Sequence, residues 1–284
     1  MLAVSNAQAS WAYVPLELRM AGAKYIVVGK IDRIVDGIER GNRTYDVGAI
    51  KVSKVLKGPK TLKEVKLMWP GPARFALSTD IKFRKGQEGV WILYPDQKVK
   101  DVFWANFPSD YQALANLPKV QEKMKALNSI AWSKAVDGLQ LGAIIEKSDV
   151  RKQKIVVKGR PVKALARATA YIVLRNTGKA STHAVNYPHD NQITFKLTGP
   201  DGKDMPIAMR NRGGRVPPLT KYNFLSVAPN SIRSIGYGFA LPLLVQPGKY
   251  TLEMSYANKR VGGKLVNGKV WKGQLQTEAT FNVK

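Results

Sequence analysis

The first hundred residues alternate between short apolar runs and turn-forming residues, with little helical spacing. Tyr25 to Val35 is β-branched and bounded by Gly37, which predicts a strand. Arg43 to Leu56 continues in extended fashion, with Tyr45, Val47, Ala49 and Lys51 on one side. Lys57 to Lys60 predicts a turn, Glu64 to Trp69 a third strand with Val65, Leu67 and Trp69 on one face, and Lys85 to Gly89 another turn. Val90 to Tyr94 is nearly all apolar, as suits a strand buried on both faces. Ahead of these, Pro15 to Gly22 reads as a short helix, with Pro in its first turn and Gly at its stop.

One longer helix follows. Asn116 can cap it, and Val120, Met124, Leu127 and Ala131 recur at helical spacing, which predicts a helix over Pro118 to Ser133. Lys119, Glu122, Lys123 and Lys125 fall on its polar side, so it is expected to pack across one edge of the β-domain. After Gly138 the pattern gives strands only: Leu139 to Lys147, Gln153 to Lys158, Ala164 to Arg175, Gln192 to Thr198, Ser231 to Ala240, Lys249 to Ala257 and Gln274 to Val283. Short strands separated by turn signals predict an antiparallel sandwich. The expected organisation is a β-domain over 13–136 closed by its helix and a sandwich over 137–284, with the boundary near Ser133 to Gly138.

Residues 1–12 read as a signal-peptide remnant or a disordered terminus. Ala7-Gln8-Ala9 fits the small-residue cleavage pattern, but the basic and long apolar regions of a signal peptide are missing. No window reaches the length of about 18 apolar residues that a membrane-spanning helix needs.

Three segments of the first half carry a resemblance: Ala23 to Ile31, with its V-G-K ending; Ile50 to Pro59, with V-L-K-G; and Lys85 to Tyr94, with its W-I-L run. They resemble netrin/TIMP-like OB-fold modules of secreted bacterial proteins, over roughly residues 13–105. The resemblance implies a mainly β fold with an OB-like barrel. Animal members block metalloprotease zinc with an N-terminal Cys. This chain has no Cys, so that activity does not carry over. In the second half, Ala170 to Gly178, Phe195 to Lys203 and Pro247 to Leu252 resemble bacterial immunoglobulin-like sandwiches. That likeness implies a buried Tyr250 whose hydroxyl bonds nearby backbone.

Charge changes the picture most. Among 284 residues, Lys plus Arg number 46 and Asp plus Glu 20, a formal net charge of +26. The part before residue 137 carries +10 and the rest +16. Eight basic residues lie between Lys147 and Arg167 against one acid, Asp149. Arg151, Lys152, Lys154, Lys158, Arg160 and Lys163 surround the Ile155 strand and are candidate polyanion ligands. Arg210, Arg212 and Arg215 form a second candidate set on a Gly-rich loop, where guanidinium forks suit phosphate, sulfate or carboxylate. A third cluster is Lys259, Arg260, Lys264, Lys269 and Lys272, on a hairpin carrying Trp271.

Catalytic signals are weak. No G-x-S-x-G elbow, P-loop or H-E-x-x-H occurs. His183, His189 and Asp190 read as a polar loop, and Asp32, Asp36 and Glu39 are interleaved with Arg33, Arg40 and Arg43. Asp201 and Asp204 supply too few oxygens for calcium. The expectation is a non-enzymatic secreted or envelope-associated (extracellular or periplasmic) binding or scaffold protein. It would need no cofactor, and its partners would be an anionic polysaccharide, another envelope polymer or an acidic protein. The alternative is nucleic-acid binding in an OB-type groove, with Tyr45, Trp69, Phe75 and Trp91 as candidate stacking aromatics.

Overall fold

The computed structural model describes residues 14–40, 43–71, 82–96, 98–105, 108–153, 155–157, 160–185, 192–207, 220–258 and 266–284. The residues 1–12 read as a signal-peptide remnant lie outside them. The protein is mainly β and divides into two compact units, Met1–Ala126 and Leu127–Lys284. That division falls ten residues before the boundary expected from sequence.

The first unit opens with α1 (Leu16–Gly22). It continues through β1 (Tyr25–Arg40), β2 (Arg43–Lys57), β3 (Glu64–Pro70), β4 (Glu88–Pro95), β5 (Val102–Trp104) and β6 (Tyr111–Gln112), and reaches α2 (Leu117–Asn128). Five strands close into a barrel in the order β1-β2-β3-β5-β4 and back to β1, with β3 and β5 parallel and the other pairs antiparallel. β1 makes closure feasible: Ile26 to Lys30 pair with β2 on one side and β4 on the other. Val27, Ile31, Ile50, Leu67, Trp69, Trp91 and Phe103 fill the interior. Gly48 leaves room for the Trp69 ring, which would lie 2.7 Å from any Cβ there.

β1 runs five residues beyond the Val35 end expected for it, and the short β5 and β6 escape the sequence pattern altogether. The helix expected over Pro118 to Ser133 ends at Asn128, and of its predicted apolar stripe only Val120 is fully buried. Ala131 is exposed and belongs to a segment without regular secondary structure. That segment follows the second unit because Ser133 N–H donates to Leu141 O, 2.8 Å, and the Ser133 hydroxyl accepts from Leu141 N–H.

Polar links fix α1 to the barrel. Arg19 and Asp110 form an ion pair at 2.8 Å with 6% and 0% of their side-chain surfaces exposed. Glu17 pairs with Lys123 of α2 at 2.6 Å. The Lys57 ammonium donates to Met20 O and Ala21 O at the carbonyl end of the helix. Burial pulls the Lys57 pKa from 10.5 down to about 8.

The second unit contains β7 (Leu139–Asp149), β8 (Ile155–Val157), β9 (Arg160–Val162), β10 (Ala166–Asn176), β11 (Thr182–Val185) and β12 (Ile193–Thr198). It ends with β13 (Asp204–Met205), β14 (Phe224–Val227), β15 (Ile232–Ala240), β16 (Gly248–Asn258) and β17 (Gly273–Val283). All seven strands expected from sequence appear. β9, β11, β13 and β14 are additional, each of two to four residues and too short for a periodic signal. The sheets are antiparallel, in the orders β15-β10-β7 and β13-β12-β16-β17, with β11-β14 and β8-β9 as small ribbons. Leu141, Ile172 and Leu174 from the first sheet share one core with Leu252, Tyr256 and Leu275 from the second.

The outer face of the β7–β10 ladder is covered too. Gly142 has no side chain because Ile130 and Trp132 lie against it, 2.6 and 2.9 Å from where a Cβ would sit. The Arg175 guanidinium stacks over Trp132 at 4.4 Å and donates to Gln140 Oε1. Tyr250 is 1% exposed, and its hydroxyl donates to Gln246 O at 2.8 Å, as expected from sequence.

Two stability outcomes follow. Asp110→Ala, which removes the carboxylate partner of the buried Arg19 guanidinium, should cost the first unit about 3–5 kcal/mol in urea unfolding. Replacing both partners with apolar residues should cost markedly less. Tyr250→Phe should cost about 1 kcal/mol, the net value of one hydrogen bond. Lys57 adds a pH signature. Its folded pKa near 8 lies below its unfolded 10.5, so the unfolded chain holds more protons between those values. Stability of the first unit should therefore rise as pH increases from 8 to 10.5, and Lys57→Met should remove that rise in urea midpoints measured across the range.

Candidate functional site

Arg151, Lys152, Arg160 and Lys163 belong to one excursion of the second unit. The β7–β10 ladder ends where Asp149 pairs with Ala166, and residues 150–165 leave the sheet there and return. Val150 N–H donates to Leu165 O, 3.0 Å, and closes the base of the excursion. Within it β8 and β9 form a hairpin, pairing Ile155 with Val162, Val156 with Pro161 and Val157 with Arg160. One face is anchored: Ile155 is buried with Val150 and Ala164, and Leu243 packs against them.

The candidate residues fare differently. Arg151 is held beside Asp149: its Nε donates to both carboxylate oxygens at 3.1 and 2.9 Å, and its Nη2 pairs with Oδ2. Those bonds hold the Asp149 carboxyl near a pKa of about 2 and raise that of Arg151. One cation of the set is thereby locally neutralised, while its guanidinium stays half exposed. Lys152 and Lys163 are both exposed at the open end of the hairpin, where the chain enters and leaves it. Lys154 and Lys158 lie outside the described residues, and Arg160 is fixed only as a strand position. Of the flanking cations, Lys147 sits opposite Ala168 and Arg167 opposite Ser148 in register, so strand alternation puts them on opposite faces of the ladder. The Lys147 ammonium donates to Asn282 O, 2.6 Å.

Arg210, Arg212 and Arg215 lie outside the described residues, as do Lys259, Arg260 and Lys264. Lys269 pairs with Asp137 at 3.1 Å. Trp271 of the third cluster is a core residue: it is fully buried, stacks on Tyr256 at 5.4 Å, and donates from Nε1 to Val136 O. Two of the proposed stacking aromatics are likewise inward. Trp69 and Trp91 are buried in the barrel, and Trp91 Nε1 donates to Gly29 O. Tyr45 is half-buried edge-on to Trp104, and Phe75 lies outside the described residues.

His183 is on β11, where its N–H donates to Lys269 O and its carbonyl accepts from Trp271 N–H; its Nδ1 is buried without a hydrogen-bond partner. His189 and Asp190 lie outside the described residues. Among the described residues, no group of three or more His, Asp or Glu could hold a metal ion. Asp201 pairs with Lys203 and Asp204 with Lys196. No helix among the described residues is long and apolar enough to cross a membrane.

One feature went unread in the sequence. The outward residues of β12, β16 and β17 form polar rows, Thr194–Ser255–Gln276 and Lys196–Glu253–Glu278, beside a shallow open depression of about 430 Å³. The signal was present as polar alternation within each strand; which strands lay side by side was not. No protein-family model and no curated protein matches this chain.

Proposed function

We propose that the protein is a non-enzymatic secreted or envelope-associated binding or scaffold protein whose basic surfaces hold anionic polymers or an acidic protein partner. The observation that carries this reading is the run of basic residues between Lys147 and Arg167, with Lys152 and Lys163 exposed on the 150–165 excursion. Such a surface attracts any polyanion, and the overall charge of +26 reinforces it. The strand order β1-β2-β3-β5-β4-β1 supports an OB-like barrel of netrin/TIMP-like kind. The Tyr250 hydroxyl bonded four residues upstream supports an immunoglobulin-like second unit. Nucleic-acid binding in the barrel groove ranks lower, because burial of Trp69 and Trp91 removes two of its four candidate stacking surfaces.

Titrations with heparin, double-stranded DNA and single-stranded DNA test the reading. Comparable binding to all three is expected, falling by at least about tenfold between 50 and 200 mM salt. A strong preference for single strands would favour the groove instead. Replacing Arg210, Arg212 and Arg215 with Ser should weaken binding more than replacing the exposed Lys54, Lys66 and Lys98. No binding at low salt would overturn the proposal.

A further inference from the structure

The excursion carries more than charge. With Ile155 anchored, Val156 and its register partner Pro161 are turned outward, and Val156 is 55% exposed. A second aliphatic side chain stands at the base. Leu243 packs with Ile155, Leu244 bridges Ala166, and the next residue, Val245, is 44% exposed. Among the described residues of the second unit, these are the two exposed large aliphatic side chains; Lys152 and Lys163 are exposed beside the hairpin, and Leu165 N–H donates to Leu244 O at its base.

A soluble polyanion rewards only the cations. Exposed aliphatics ringed by Lys and Arg gain where charge and hydrocarbon are offered together, as at the surface of an anionic bilayer. We propose that this end of the second unit docks on an anionic lipid surface, with Val156 and Val245 entering the headgroup layer and the exposed Lys152 and Lys163 facing lipid phosphates. The inference rests on the polyanion reading and narrows it to one partner. Each cation brought to such a surface is worth about a fivefold gain in partitioning. The two half-exposed valines together contribute on the order of tenfold.

Cosedimentation of the full chain with vesicles tests this. Phosphatidylcholine vesicles containing about 30% phosphatidylglycerol should bind it, and phosphatidylcholine alone should not. Val156→Ser combined with Val245→Ser should lower vesicle partitioning by roughly tenfold while leaving heparin affinity within about twofold. Both positions are exposed, so folding should persist, as thermal unfolding would verify. Lys152→Ser with Lys163→Ser should weaken both ligands. Undiminished vesicle binding by the valine variant overturns the inference and leaves the polyanion reading standing, as does heparin binding without vesicle binding. Loss of both in the parent chain defeats the reading and the inference together.

Discussion

The β7–β10 ladder is the element on which the second unit depends. Eleven residue pairs run from Leu139–Asn176 to Ala166–Asp149 without a register shift. A one-residue slip of β10 would exchange its two faces. It would put Arg167, Thr169 and Arg175 into the core and expel Ala168, Ile172 and Leu174. The same register sets where the chain leaves the sheet, and hence where the basic excursion begins and ends.

The barrel meets a different constraint. A sheet edge leaves backbone donors and acceptors unpaired, and closure removes the edge. Residues Ile26 to Lys30 supply both sides of that closure, so their side chains have only the interior and the outer surface left to occupy. Along this stretch Ile26, Val27 and Val28 are all buried, Val27 in the barrel core, and they are followed by Gly29 and the exposed Lys30. Gly29 admits no side chain, because Lys51 O and the Ile50 side chain lie within 2.7 Å of where a Cβ would be.

Much of this was legible in the residues. Long alternating strands such as β10, β16 and β17 declare themselves through period-two burial, and Tyr250 through its Pro-Gly-Lys-Tyr setting. The overlong helix expectation has a plain cause. Ala131 continued the helical spacing by chance, while Ser133 and Trp132 already belonged to the β7 ladder through contacts with Leu141 and Gly142, which no local pattern encodes. The candidate surface was visible as a density of Lys and Arg. Its division was not: pairing Arg151 with Asp149 and placing Lys147 and Arg167 on opposite faces are consequences of geometry. Trp271 was misleading for the same reason. A tryptophan among lysines and glycines suggests display, yet its indole N–H needs the Val136 carbonyl, and its ring fills space beside Tyr256.

The strap from Ile130 to Val136 bears on how the chain can be dissected. A recombinant fragment begun at residue 137 would keep every strand of the second unit but lose Trp132, Ser133 and Val136. Arg175 would lose its stacking partner, Trp271 its carbonyl acceptor, and Gly142 would become a bare notch in an exposed sheet. The shortest self-sufficient piece therefore starts upstream of Ile130, inside what sequence alone assigns to the preceding domain. Between the two halves, this stretch is a structural part of the second unit and not spare tether.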